Sequence, residues 1–171
     1  ACQRACVGKV EGERIRRVCQ EQMGAYVIER SERERFQFGA GDPETSDVRL
    51  IWPGGFQEKN VILRASEVNT GTPFLQSEPG LTSLGLILNL VLFVAHFTAI
   101  NAYNLPLYRA RNGHLVVDAT EVCRPALRDI DSYPEDDSDV TIDPTTVSTY
   151  TPAHYEVALV SKTGTSLLEP S

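Results

Sequence analysis

Hydrophobic and polar positions along the chain change spacing several times, and each change marks an element. Ile15, Val18, Cys19 and the pair Gln22–Met23 recur three and four residues apart while Glu and Arg fill the other face, which predicts a helix ending at Gly24. Tyr26-Val27-Ile28 reads as a short apolar strand, and Glu29 to Arg35, all charged apart from Ser31, as a solvated edge or turn. Phe36 and Phe38 alternate into the turn Gly39-Ala40-Gly41-Asp42-Pro43. Val48 to Trp52 predicts a strand ended by Pro53-Gly54-Gly55, Asn60 to Ala65 another, and Thr72 to Gln76 a further one. Pro79-Gly80 opens a short helical turn over Leu81 to Gly85, followed by apolar segments at Leu86–Leu92 and Phe93–Ile100. Leu105–Tyr108 and His114–Val117 predict two short strands around Arg111-Asn112-Gly113. Short strands joined by Gly and Pro turns, with one or two short helices, make a mainly β fold class.

Pro79 to Tyr108 contains no Lys, Arg, Asp or Glu in a chain that is 23% charged. Such a run belongs either to a core or to a membrane. Leu84–Ala102 has about the ~20 residues a spanning helix needs, with Tyr103, Tyr108, Arg109 and Arg111 at one end as interfacial anchors would be. Against that stand Asn89, His96 and Asn101, each costly in hydrocarbon, and many β-branched or aromatic positions. The alternative it supports is a single-span membrane accessory or interaction protein.

At 171 residues there is room for one domain with a core, plus a tail. After Arg124 the texture turns acidic and proline-punctuated, with Asp129, Asp131, Glu135, Asp136, Asp137, Asp139 and Asp143. This predicts a domain over 1–124 and a solvated linker or tail over 125–171, with one strand-like segment at Tyr155–Val160. The net charge of −7, with the basic residues interleaved with Glu, argues against direct nucleic-acid binding. The start is polar and charged rather than a signal sequence, which leaves an intracellular, cytoplasmic setting as the expectation.

Four cysteines are too few for a disulfide scaffold, and Cys2-x3-Cys6-x12-Cys19 lacks metal-knuckle spacing. Reduced, buried thiols are expected, with no metal and no cofactor. His96 lies in an apolar stretch and reads as a core histidine. Gly39-Ala40-Gly41 lacks the Lys and the strand-to-helix context of a phosphate loop, so a hairpin turn is its plain reading.

Ala1-Cys2-Gln3-Arg4-Ala5-Cys6 with Gly8, Phe36 to Gly41, Thr72 to Ser77, Leu81-x-x-Leu84-Gly85-Leu86-Ile87-Leu88, and Leu105-Pro106-Leu107 with Gly113-His114-Leu115 follow one another in a familiar order. In that order the chain resembles the retropepsin-like aspartic protease domain of copia-type LTR retrotransposon Pol polyproteins, of the kind abundant in dinoflagellate genomes, over Ala1 to about Val122. The resemblance implies an acid-protease barrel, a homodimer with one catalytic Asp per subunit, and a peptide or polyprotein substrate. It makes Ala1 the third position of an Asp-Thr/Ser-Gly/Ala triplet, so the catalytic Asp is expected immediately before Ala1 and no residue of the chain fills that role. It assigns Phe38, Gly39, Ala40 and Gly41 to a substrate-binding flap, and Thr72–Ser77 to a strand behind the catalytic loop. The chain is accordingly expected to be a fragment that starts just after the catalytic dipeptide, inactive as it stands.

Overall fold

The computed structural model describes residues 3–147. Ala1, Cys2 and the strand expected at Tyr155–Val160 lie outside the described residues. The architecture is mainly β, with strands in one large sheet and two small ones. The large sheet has the order β1-β4-β3-β2, formed by β1 (Cys6–Gly8), β2 (Ile28–Phe36), β3 (Glu44–Phe56) and β4 (Lys59–Val68). Among the described residues these strands make an open sheet, whereas a closed barrel was expected.

The predicted N-terminal helix is present as α1 (Lys9–Val18), continued by a π-helical turn at Cys19–Met23 and closed by Gly24 in the left-handed conformation (φ 63). Ile15 and Cys19 are buried, with Gly12 beside them; Val18 and Met23 are half-buried, and Gln22 is exposed. Burial pushes the Cys19 thiol up to about 11, so it stays protonated.

β3 and β4 pair antiparallel from Arg49↔Ser66 to Phe56↔Lys59, around a two-residue turn at Gln57–Glu58. Leu50, Trp52, Phe56, Val61, Leu63 and Ala65 alternate onto the core face, where they join Val7, Ile15 and Cys19. Ile51, Ile62, Arg49, Arg64 and Ser66 are buried as well, so both faces of this ladder are covered. That double burial explains why Asn60–Ala65 reads as a nearly unbroken apolar run.

The expected stop at Pro53-Gly54-Gly55 is not one; β3 runs on to Phe56. The β2 ladder ends at Ile28↔Ile51, so Pro53 is paired by β4 alone and its missing N–H breaks no second ladder. Beyond it the chain at 119–122 closes on the free edge, with the Gly55 N–H donating to Ala119 O at 2.8 Å. A Cβ on Gly55 would lie 2.5 Å from Glu121 O, so the glycine is there for that close approach.

The charge-free run forms neither a spanning helix nor one continuous element. Ser77 caps α2 (Glu78–Ser83), which starts three residues before the predicted helical turn. A meander of β5 (Leu86–Asn89), β6 (Val94–Phe97) and β7 (Ala102–Pro106) follows, in the order β5-β6-β7. Leu84–Ala102, the stretch of the membrane alternative, is therefore mostly strand and turn. No helix among the described residues is long and apolar enough to cross a membrane. The meander packs on the large sheet through an edge-to-face contact of Phe97 with Phe56, centroids 4.8 Å apart. His96 is a buried core histidine whose Nδ1 accepts the Asn104 N–H at 2.9 Å. Ile87, Leu88, Leu90 and Val91 stay exposed, Val91 at 91%. Of the last two predicted strands, Leu105–Tyr108 straddles the end of β7 and the start of β8 (Tyr108–Arg109), and His114–Val117 contains β9 (Leu115–Val116), which pairs with β8 as a small hairpin.

The stretch after residue 124, expected to be solvated linker, is in part folded against the domain. β10 (Val140–Ile142) joins the large sheet antiparallel to β4, in register Val140↔Leu63 to Ile142↔Val61. Asp139 and Asp143, at its two ends, are buried. Their partners are Arg49, Arg128, Tyr133, Thr145 and backbone groups, which compensate the desolvation that made a tail the simpler reading.

Candidate functional site

Gln3 to Gly8 is wedged between two stretches of extended chain. On one side β1 runs parallel to β4, Cys6↔Ser66 to Gly8↔Val68, with the Ser66 N–H donating to Ala5 O at 2.9 Å. On the other, Cys6 and Leu75 exchange both backbone hydrogen bonds, 3.1 Å and 2.9 Å, and the Gly8 N–H donates to Thr72 O at 2.8 Å. Gly8 has no room for a side chain, since a Cβ would lie 2.2 Å from Thr70 O and 2.6 Å from Thr72 O. Thr72–Ser77 is thus an extended segment bridged at Leu75 rather than a full strand. Its Phe74 ring meets Trp52 edge to face, with centroids 5.1 Å apart, which ties the segment to the sheet.

Arg4 joins this loop to three other elements. Its guanidinium donates to Glu32 Oε2 on β2 at 2.8 Å, to Ser66 Oγ on β4 at 3.1 Å and to Asp137 Oδ2 at 3.1 Å. Glu32 also accepts from Ser46 Oγ at 3.0 Å, so the middle of the β2–β3 hairpin is fixed to the loop through one half-buried carboxylate. A cleft of about 310 Å³ opens beside them, lined by Gln3, Arg4, Pro79, Gly80, Ser83 and residues 137–140.

The β2–β3 hairpin carries Phe38, Gly39, Ala40 and Gly41 at its tip, where Phe36↔Glu44 is the last pair. The Gly41 N–H donates to Phe38 O at 3.3 Å across a turn whose first central residue, Gly39, has φ 60. That left-handed position is one a glycine takes without steric cost. The Gln37 side-chain amide donates to Gly39 O at 3.1 Å and to Gly41 O, while Phe36 and Phe38 stack at 6.1 Å. The tip is therefore an ordered turn with exposed backbone. A shift in register between Ser31 and Glu34 kinks the charged edge strand below it.

Sequence reasoning missed Ser77, Arg49 and Asp139. Ser77 Oγ accepts the Gly80 N–H at 3.1 Å, and Ser-x-Pro is an N-cap signal that could have been read from the chain. Arg49 Nη2 donates to Asp139 Oδ1 at 2.8 Å, a buried pair ninety residues apart in sequence. Nothing in the linear pattern announces it.

Among the described residues no group of three His, Cys, Asp or Glu could hold a metal ion. Cys6 and Cys19 are buried, and Cys123 is half-buried. No family model, no curated protein and no solved structure matches this chain.

Proposed function

We propose that the chain is the body of a retropepsin-like aspartic endopeptidase domain of the kind carried by retrotransposon polyproteins, acting on extended peptide as a homodimer. The observation that carries the reading is the antiparallel pairing of Cys6 with Leu75. It sets the loop that would follow a catalytic Asp against the Thr72–Ser77 segment and the short helix after it. The exposed Gly39-Ala40-Gly41 tip fits a flap, because glycine backbone lets N–H groups approach a peptide without side-chain obstruction.

In such a site each subunit supplies one carboxylate, and two carboxylates about 3 Å apart share one proton because both cannot ionise. One activates water and the other polarises the scissile carbonyl. In this reading each subunit's carboxylate belongs to an Asp immediately before Ala1.

The test adds Asp-Thr before Ala1 and assays cleavage of an unstructured protein substrate. Pepstatin-sensitive hydrolysis in the extended chain, its absence in the 171-residue chain, and a dimer by sedimentation are expected. A folded, dimeric, extended chain without activity would remove the protease reading.

A further inference from the structure

Asp139 precedes β10 in a stretch whose composition marks it as solvated, yet it is 7% exposed. Its carboxylate reaches three separate elements. Oδ1 accepts from Arg49 Nη2 of β3 at 2.8 Å. Oδ2 accepts the backbone N–H of Ala5 at 3.0 Å and the hydroxyl of Ser77. Ala5 closes the loop Gln3–Ala5, and Ser77 is both the last residue of the Thr72–Ser77 segment and the N-cap of α2. The Asp139 carbonyl in turn accepts the Arg64 N–H of β4 at 2.9 Å.

Holding the acidic segment to the domain does not call for this arrangement. β10 already pairs with β4 over three residues. Asp143, the buried acid at the other end of β10, binds Arg128, Tyr133 and Thr145, all within fifteen residues of itself. Asp139 instead spends its acceptor sites on the N-terminal loop and the α2 cap. The two carboxyl oxygens carry enough acceptor sites to receive a guanidinium, a backbone N–H and a hydroxyl together.

We propose that Asp139 is a positioning residue that holds the loop Gln3–Ala5 and the N-cap of α2 in one fixed register, which makes the acidic segment 137–139 part of the frame of the candidate active site. The consequence for chemistry rests on the protease reading; the tie between loop and helix does not.

Amide hydrogen exchange in the 171-residue chain separates the two. Asp139→Asn is expected to speed exchange at Ala5 by roughly tenfold or more relative to amides in the centre of the β3–β4 ladder, as loss of a charge-assisted hydrogen bond requires. Asp143→Asn is expected to leave that ratio unchanged even where global stability falls. Equal changes at Ala5 and the ladder in Asp139→Asn would overturn the proposal. Should Asp139→Asn not fold, the unsubstituted chain decides: an Ala5 amide that exchanges as fast as exposed loop amides overturns it equally. In the chain extended by Asp-Thr, Asp139→Asn is expected to lower kcat by about tenfold or more with KM within about twofold, and Asp143→Asn to change neither. A raised KM with unchanged kcat would deny the positioning role. An extended chain inactive in every form would sink the protease reading and leave the exchange result standing.

Discussion

Gln57 and Glu58 turn the chain between β3 and β4 with φ 50 and φ 63, a type of two-residue turn in which both central residues are left-handed. Neither is glycine or asparagine. Gln57 has a compensating role, since its side-chain amide donates to Tyr103 O at 2.6 Å and accepts the Tyr103 N–H at 3.0 Å, completing the edge of β7 as a strand would. The Glu58 N–H donates to Glu121 O at 2.9 Å, but its side chain makes no such bond among the described residues. A left-handed non-glycine residue costs about 1–2 kcal/mol, and glycine's extra freedom in the unfolded chain returns part of that. Glu58→Gly is therefore expected to stabilise the fold by roughly 0.5–1 kcal/mol, read as a higher urea midpoint at unchanged slope. A lower midpoint would mean that Glu58 contributes through its side chain.

At the level of elements, what could be read from the chain was local. α1 with Ile15, Cys19 and Gly24, the turn at Gly39–Gly41, and the apolar cores of β3 and β4 all follow from spacing and turn chemistry within about ten residues. What could not be read depends on partners far away. β3 passes through Pro53 because β2 has already ended and residues 119–122 arrive to cover the edge. Asp131 and Asp137 are exposed as their composition suggests, paired with Arg30 and Arg4 at 3.1 Å each, whereas Asp139 read as solvated because Arg49, its partner at 2.8 Å, lies ninety residues earlier. The charge-free run resolved into α2 and a meander, and Gly85, with φ 67, ends the helix there. The hairpin tip was legible as a turn, whereas the convergence of Arg4, Ser77 and Asp139 on one loop was not. The covered edge of β3 gives a direct check. Gly55→Ala would drive a methyl group into the backbone at Glu121 and Val122, 2.5 Å and 2.6 Å away. The expected cost is about 1–3 kcal/mol of unfolding free energy, with faster exchange at Gly55-paired amides; a neutral effect would show that 119–122 is free to withdraw.

For the whole molecule, the charges that hold the C-terminal segment down make its attachment depend on pH. Three of its carboxyls sit below their ordinary value of about 3.8. Hydrogen bonds from the Ser138 side chain and backbone do this for Asp136, and the Arg4 guanidinium does it for Asp137. At Asp143 burial pushes the carboxyl up, but hydrogen bonds from Thr145 and Tyr133 and the charge of Arg128 outweigh it. A carboxyl depressed on folding binds its proton more tightly in the unfolded chain, so the stability it contributes is present above the ordinary value and is lost as pH falls through the folded one. Stability should therefore be flat from neutral pH down to about 5 on account of these groups, then decline below about 4. Asp143→Asn removes the one of the three that is fully buried. That variant is expected to be less stable at neutral pH and to lose less on further acidification, by urea titration at pH 6 and at pH 3. Parallel curves for the two chains would place the acid sensitivity outside the segment. The steeper curve of the unsubstituted chain, with early loss of amide protection in β10, would show the acidic run acting as a clasp on the β4 edge.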